Sequence, residues 1–179
     1  MSNFYTDKQQ IINWLDKYGI SKYILIPDKQ YGFIVNVNSN VNLFNNNLTH
    51  IPVKFNEAKG NFYCHVNKLT SLEFSPQIVK GNFDCGNNKF TSLEFCPQTV
   101  GNYFSCNNNR LTSLEFCPQA IGDSFYCDNN PKLKKIQKIT DFKLIYLEHK
   151  KILIAKFSDK LNNDLTNDEN KKLLKLKYE

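Results

Sequence analysis

At 179 residues, with 41% hydrophobic and 13% aromatic side chains, the chain can bury one core and is not composed like a disordered protein. No apolar run reaches the ~18 residues that span a bilayer, and residues 1–7 lack the charged and apolar stretches of a secretory signal. A cytoplasmic protein without membrane contact is expected. The net charge of +6 is lopsided: residues 1–131 hold ten basic and ten acidic side chains, residues 132–179 thirteen lysines and seven acids. Such asymmetry fits a nucleic-acid or acidic partner, or a solvated lysine-rich face.

Residues 1–38 read as an N-terminal cap. Thr6 as N-cap, Gln9 three residues on and Gly19 past the end frame a short helix. Ile11, Ile12, Trp14, Leu15 and Tyr18 form its apolar face. Trp14, the one tryptophan, is either a core residue of this helix or a binding anchor. Tyr23–Ile26 and Phe33–Val37 predict two strands joined by a turn at Pro27-Asp28-Lys29-Gln30. That hairpin would cover the open end of the segment beyond residue 38.

Residues 39–136 repeat. Leu69-Thr70-Ser71-Leu72-Glu73-Phe74 returns at 90–95 and 111–116, each 21 residues on. A fixed period of this size predicts a stacked array. Val41, Phe62, Phe83, Phe104 and Phe125 share one column, and Leu43, Cys64, Cys85, Cys106 and Cys127 the next. Both face inward from a short strand, because strand side chains alternate. Asn46, Asn67, Asn88, Asn109 and Asn130 mark the turn after it. Their amides can satisfy backbone groups that have no ladder bonds. Pro76, Pro97 and Pro118 suit an extended return path. Phe74, Phe95 and Phe116, with Val79, Val100 and Ile121, are expected to close the back of the core. Gly60, Gly81, Gly101 and Gly122 mark the tight start of each strand.

The pattern apolar-x-apolar-x-x-Asn-x-Leu-x-x-Leu resembles the short leucine-rich-repeat proteins of bacteria and phages. The resemblance covers roughly residues 39–136, and the helix-and-hairpin lead-in is similar to that of phage-associated members. It implies an α/β repeat fold, a short horseshoe-shaped leucine-rich-repeat solenoid with parallel strands. It also implies a binding scaffold, and a phage or mobile-element setting.

All six cysteines follow the repeat: Cys64, Cys85, Cys106 and Cys127 on the inward column, Cys96 and Cys117 beside the return prolines. No C-x₂-C pair occurs, and a linear row does not converge as a zinc site must. Buried, reduced thiols are expected, with no metal and no cofactor.

The outward strand positions read Asn40, Asn42, Phe44; Asn61, Tyr63, His65; Asn82, Asp84, Gly86; Tyr103, Ser105, Asn107; Ser124, Tyr126, Asp128. None is Lys or Arg. Phe44, Tyr63, His65, Asp84, Tyr103, Tyr126 and Asp128 are the candidate protein-binding residues, since aromatics concentrate interface energy. Exposed tyrosine also follows from strand propensity alone. His65, Tyr63 and Asp84 fall close together if the repeats stack, but no catalytic trio follows from spacing, and no enzyme and no small-molecule substrate are expected.

Residues 137–179 are expected to form a basic helical C-terminal cap, with apolar residues at helical spacing from Phe142 to Leu161 and a last short helix holding Leu173, Leu174 and Leu176. A strand over Lys151–Ala155 stays open. Lys132, Lys134, Lys135, Lys138, Lys150 and Lys151 are candidate nucleic-acid contacts. Two functions are therefore carried forward. One is a non-catalytic protein-binding module, in the phage setting an inhibitor of a host factor such as an RNA-guided defence nuclease (an anti-CRISPR role). The other is direct RNA or DNA binding through the lysines.

Overall fold

Each 21-residue repeat supplies two short strands, and the two sets of strands build two parallel sheets. The computed structural model describes residues 4–133, a parallel-strand β-solenoid of about four turns with one short helix. The single helix, α1, runs Lys8–Lys17. It is followed by β1 (Tyr23–Asp28), β2 (Gly32–Val37) and β3 (Val41–Asn42). Then come β4 (Phe55–Ala58), β5 (Phe62–Tyr63), β6 (Ile78–Val79) and β7 (Phe83–Asp84). The last strands are β8 (Thr99–Val100), β9 (Phe104–Ser105), β10 (Ala120–Ile121) and β11 (Phe125–Tyr126). A single 3₁₀ turn, Pro131–Leu133, ends the described chain.

The front sheet has the order β11-β9-β7-β5-β3, and its register is the sequence period: Val41 opposite Phe62, Phe62 opposite Phe83, Phe83 opposite Phe104. The back sheet has the order β1-β2-β4-β6-β8-β10. The return path is thus a second set of paired strands, where only an extended connection was expected. The prolines lie just before β6, β8 and β10 and are buried, so they start the strands without removing a ladder donor. The predicted hairpin forms, and β2 pairs in parallel with β4. It therefore extends the back sheet alone. Pro27 and Asp28 belong to β1 rather than to the turn. Proline is admissible there because β1 is an edge strand, and Asp28 Oδ1 accepts from the N–H groups of Gln30 and Tyr31 to set the turn.

The N-cap of α1 is Asp7, not Thr6: its carboxylate accepts from Gln10 N–H at 3.0 Å. Gly19 has φ +62° at the end of the helix, as a C′ glycine does. Ile11, Trp14 and Leu15 are buried, and Trp14 packs on Phe55 at 6.2 Å, which favours its core reading.

The core is a column of rings. Phe62, Phe83, Phe104 and Phe125 stack at centroid distances of 5.6, 5.5 and 5.3 Å, within 21° of parallel. Cys64, Cys85 and Cys106 fill the next column, and Leu69, Phe90 and Leu111 the one after the turn. Cys117 and Cys127 are only half-buried, unlike the other four. Burial pushes the Cys85 and Cys106 thiols far up, and Cys127 up to about 11.

The expected asparagine ladder is present. Asn88 Nδ2 donates to the carbonyls of Cys64, Cys85 and Gly86, while its Oδ1 accepts from Leu69 N–H. Asn67, Asn109 and Asn130 repeat the pattern. Asn46 does not: it is exposed and its side chain donates to Phe44 O, because no earlier front strand lies beneath it.

Two of the expected core phenylalanines are not in the core. Phe74 is 8% exposed, but Phe95 is 47% and Phe116 50% exposed. All three have positive φ, between 66° and 71°, as the third residue of a turn closed by Ser75, Cys96 or Cys117 N–H on the leucine three residues before. That backbone turns the ring outward and sends the next side chain, Ser75 or Cys96, into the core. Phe74 alone is covered, by Phe4 and Tyr31 at 5.1 and 5.7 Å.

Gly81 is required by close approach rather than by φ. A Cβ there would collide with Asn61 Oδ1 and lie 2.9 Å from the Gly60 carbonyl. Among the described residues, no helix is long and apolar enough to cross a membrane. The expected C-terminal helices lie outside the described residues.

Candidate binding face

The front sheet places its outward side chains in three columns, one residue per turn of the solenoid. The first column holds Asn40, Asn61 and Asn82. Sequence order put these among the outward-facing positions, yet they act on the backbone. Asn40 Oδ1 accepts from Asn61 N–H and Asn61 Oδ1 from Asn82 N–H, both at 2.8 Å, and Asn82 Oδ1 from Tyr103 N–H at 3.3 Å. This is a second asparagine ladder at the start of the strands. The 21-residue alignment contains its signal, three asparagines in one column.

The three columns together bring six of the candidate residues into contact. Phe44 stacks on His65, with centroids 4.5 Å apart at 30°. Tyr63 meets the same imidazole edge-on at 5.8 Å. His65 Nδ1 lies 3.7 Å from Asp84 Oδ2, within ion-pair range but beyond a hydrogen bond. Tyr63 Oη accepts from Asn82 Nδ2 at 3.3 Å and shares a hydrogen bond with Tyr103. Tyr103 in turn meets Tyr126 edge-on at 5.9 Å. Phe44, Tyr63, His65, Tyr103 and Tyr126 thus form one belt across the front of the solenoid, with Asp84 at its centre.

Tyr103 is pushed up to about 12, mainly by burial, then by the hydrogen bond to Tyr63 and the neighbouring Tyr63, Asp84 and Tyr126. Asp84 is held in place by its own strand: Oδ1 accepts from Gly86 N–H at 2.9 Å. Asp128 is exposed at the far end of the face, one position beyond the last ring of the belt. Ser105, expected to face out, is only 6% exposed. Lys132 lies in the terminal 3₁₀ turn. Lys134, Lys135, Lys138, Lys150 and Lys151 lie outside the described residues.

Two residues that sequence reasoning passed over complete the face. Gly86 is the one position of the third column without a side chain, between His65 and Asn107. His65 Nδ1 and Asn107 Oδ1 are the buried side-chain polar atoms that lack a hydrogen-bond partner among the described residues. The column alignment shows the missing side chain at Gly86; it cannot show which polar atoms become orphaned around it.

The buried cysteines face the core, their thiols held protonated by burial, with Cys64 and Cys96 raised well beyond the usual thiol range. Among the described residues no group of three or more His, Cys, Asp or Glu converges as a metal site would require. Comparison with protein-family models, with curated proteins and with solved structures gives no match.

Proposed function

We propose that this protein is a non-catalytic leucine-rich-repeat module that binds another protein through the front face of its solenoid. The observation that supports the reading is the aromatic belt from Phe44 to Tyr126: contiguous rings, polar tips and no lysine or arginine, carried on strands locked by two asparagine ladders. Such a surface pairs large contact area with little ordering entropy, the usual character of interface anchors. The Asn-x-Leu-x-x-Leu turn at Asn67 and Asn109, with Ile51 or Phe90 in place of one leucine after Asn46 and Asn88, supports the leucine-rich-repeat reading. In the setting that the repeat pattern suggests, the partner class is a host protein that the module inhibits, a defence nuclease among them.

The test is capture from a bacterial lysate by the tagged protein, with and without nuclease treatment, beside a Tyr63→Ala/Tyr103→Ala variant. A nuclease-resistant protein captured by the native chain and lost by the variant is the expected result. Capture that the variant retains would defeat the front-face reading. Capture abolished by nuclease would move the function to nucleic acid and the C-terminal lysines.

A further inference from the structure

We infer that the outer edge of β1 is a docking surface for a second copy of this chain, which adds its own β1 in antiparallel pairing and joins the two back sheets. The inference goes beyond the front-face reading and does not depend on it.

Among the described residues β1 is the one long sheet edge. It ends the six-stranded back sheet, and no described strand pairs with its outer side. The other edge strands, β3, β10 and β11, have two residues each, whereas β1 has six. Folded chains blunt such edges with short strands, charges, bulges or proline. Tyr23-Ile24-Leu25-Ile26 has none of these, and its residues have high strand propensity. Ile24 and Ile26 are 54% and 40% exposed, and Ile24 is the most exposed large hydrophobic side chain among the described residues.

The register of the hairpin decides which backbone groups face out. Tyr23 stands opposite Val37, and Lys22 O accepts from Asn38 N–H. Ile24, Ile26 and Asp28 therefore bond to β2, because bonded and non-bonded pairs alternate in an antiparallel ladder. Tyr23, Leu25 and Pro27 turn their backbone groups to the free edge. Tyr23 and Leu25 offer an N–H and a C=O each, Pro27 a carbonyl alone. Side chains alternate as well. Leu25 lies on the inner face, opposite buried Val35, and Ile24 and Ile26 lie on the outer face, opposite Asn36 and Ile34.

This edge is complementary to itself. With a two-fold axis at Ile24, Tyr23 of each copy stands opposite Leu25 of the other and exchanges both bonds with it. Every edge-facing group of Tyr23 and Leu25 is then used. An axis at Leu25 would set Tyr23 against Pro27 and leave the Tyr23 carbonyl without a donor. An axis at Tyr23 would set Leu25 against Ser21, beyond the bend that Lys22 makes at φ 56°. On the outer face Ile24 meets Ile24 of the second copy, and Ile26 of each copy flanks that pair diagonally, so the exposed isoleucines cover one another. The same pairing brings the start of one β1, with Lys22, toward the end of the other, with Asp28. Parallel addition would instead set like charge beside like charge.

The test is sedimentation equilibrium of the full chain from about 1 to 500 µM. A monomer–dimer equilibrium with a dissociation constant on the order of 100 µM is expected, as for a contact smaller than a standard stable interface. Ile24→Lys sets two ammonium groups against each other at the axis and should weaken dimerisation at least roughly tenfold. Ile24→Cys, with diamide as oxidant, should give a disulfide-linked dimer, since Cβ atoms of a directly opposed non-bonded pair lie closest. Ile26→Cys, on the same face, should not, because its two copies lie four residues apart in this register, more than about 10 Å. The native chain, with its own thiols, sets the background. A chain monomeric throughout that range, a dimer that the folded Ile24→Lys variant keeps, or equal crosslinking at positions 24 and 26 overturns the inference. If Ile24→Lys does not fold, the two cysteine variants decide it. A different protein captured through Ile24 by a chain that stays monomeric also overturns the second copy as occupant. The front-face reading is tested separately, through Tyr63 and Tyr103.

Discussion

Phe44 lies against His65, ring on ring at 4.5 Å, although 21 residues separate them. The contact exists because Val41 and Phe62 are opposite one another in the front sheet and the outward side chains inherit that register. Phe44→Ala should remove the ring-current shift of the His65 imidazole protons while the fold persists. Its cost should be about 0.5–1.5 kcal/mol, the range for a half-exposed aromatic pair. Unchanged His65 resonances in the variant would show that the stack does not form in solution.

The buried asparagines should not be interchangeable with the exposed one. Asn88→Ala leaves Leu69 N–H and the Cys64, Cys85 and Gly86 carbonyls short of a partner inside the core. A loss of about 2–5 kcal/mol is expected, read as a lower urea midpoint. Asn46→Ala, at the same repeat position without a turn beneath it, should change stability by no more than about 0.5 kcal/mol. Equal costs would mean that the ladder is not the source of the repeat's stability.

The turn after each front strand has positive φ at Asn45, Val66, Asn87, Asn108 and Asn129. Asparagine tolerates the left-handed region, and a β-branched residue does not. Val66, at φ 56° and on the surface, is therefore strained. Val66→Asn should raise the unfolding free energy by about 1 kcal/mol. A drop in melting temperature would show that Val66 is held there by contacts worth more than the strain.

The thiols set an alkaline limit. In the folded chain Cys64, Cys85, Cys96, Cys106 and Cys127 ionise above their ordinary range, because burial penalises the thiolate. As pH rises past the ordinary thiol range, about 8.5, the unfolded chain loses these protons first and binds fewer than the folded one. Stability then falls with pH, and is unaffected by these groups below that range. A melting temperature flat near neutral pH and falling steadily from about pH 9 is expected. At neutral pH a thiol reagent should reach only the half-buried Cys117 and Cys127 before unfolding, and all six after it. Fast modification of all six in the native protein would contradict the buried column.

How much could be read beforehand differs by residue. The 21-residue offset places Tyr63 beside Asp84 in one column with no structure at hand, since in-register parallel strands carry sequence period into spatial adjacency. It equally predicts that Phe95 and Phe116 share a column with Phe74. It does not predict that the column faces out. That outcome comes from the positive φ at a turn, a backbone property that hydrophobicity does not report. The same limit hid the second ladder: Asn61 and Asn82 look like exposed polar residues until the next turn of the chain brings its N–H groups over them.

By itself, then, the amino-acid sequence determined the period, the columns, the inward phenylalanines and cysteines and the asparagine turn, because a repeating pattern can be satisfied only by stacking. The tertiary structure alone decided that the return path forms a second sheet, that the hairpin extends that sheet, and which polar atoms around Gly86 are left without partners. Those outcomes depend on the direction and depth of individual side chains, and these are set by turn backbone and by the neighbouring turn of the solenoid rather than by any residue's own type.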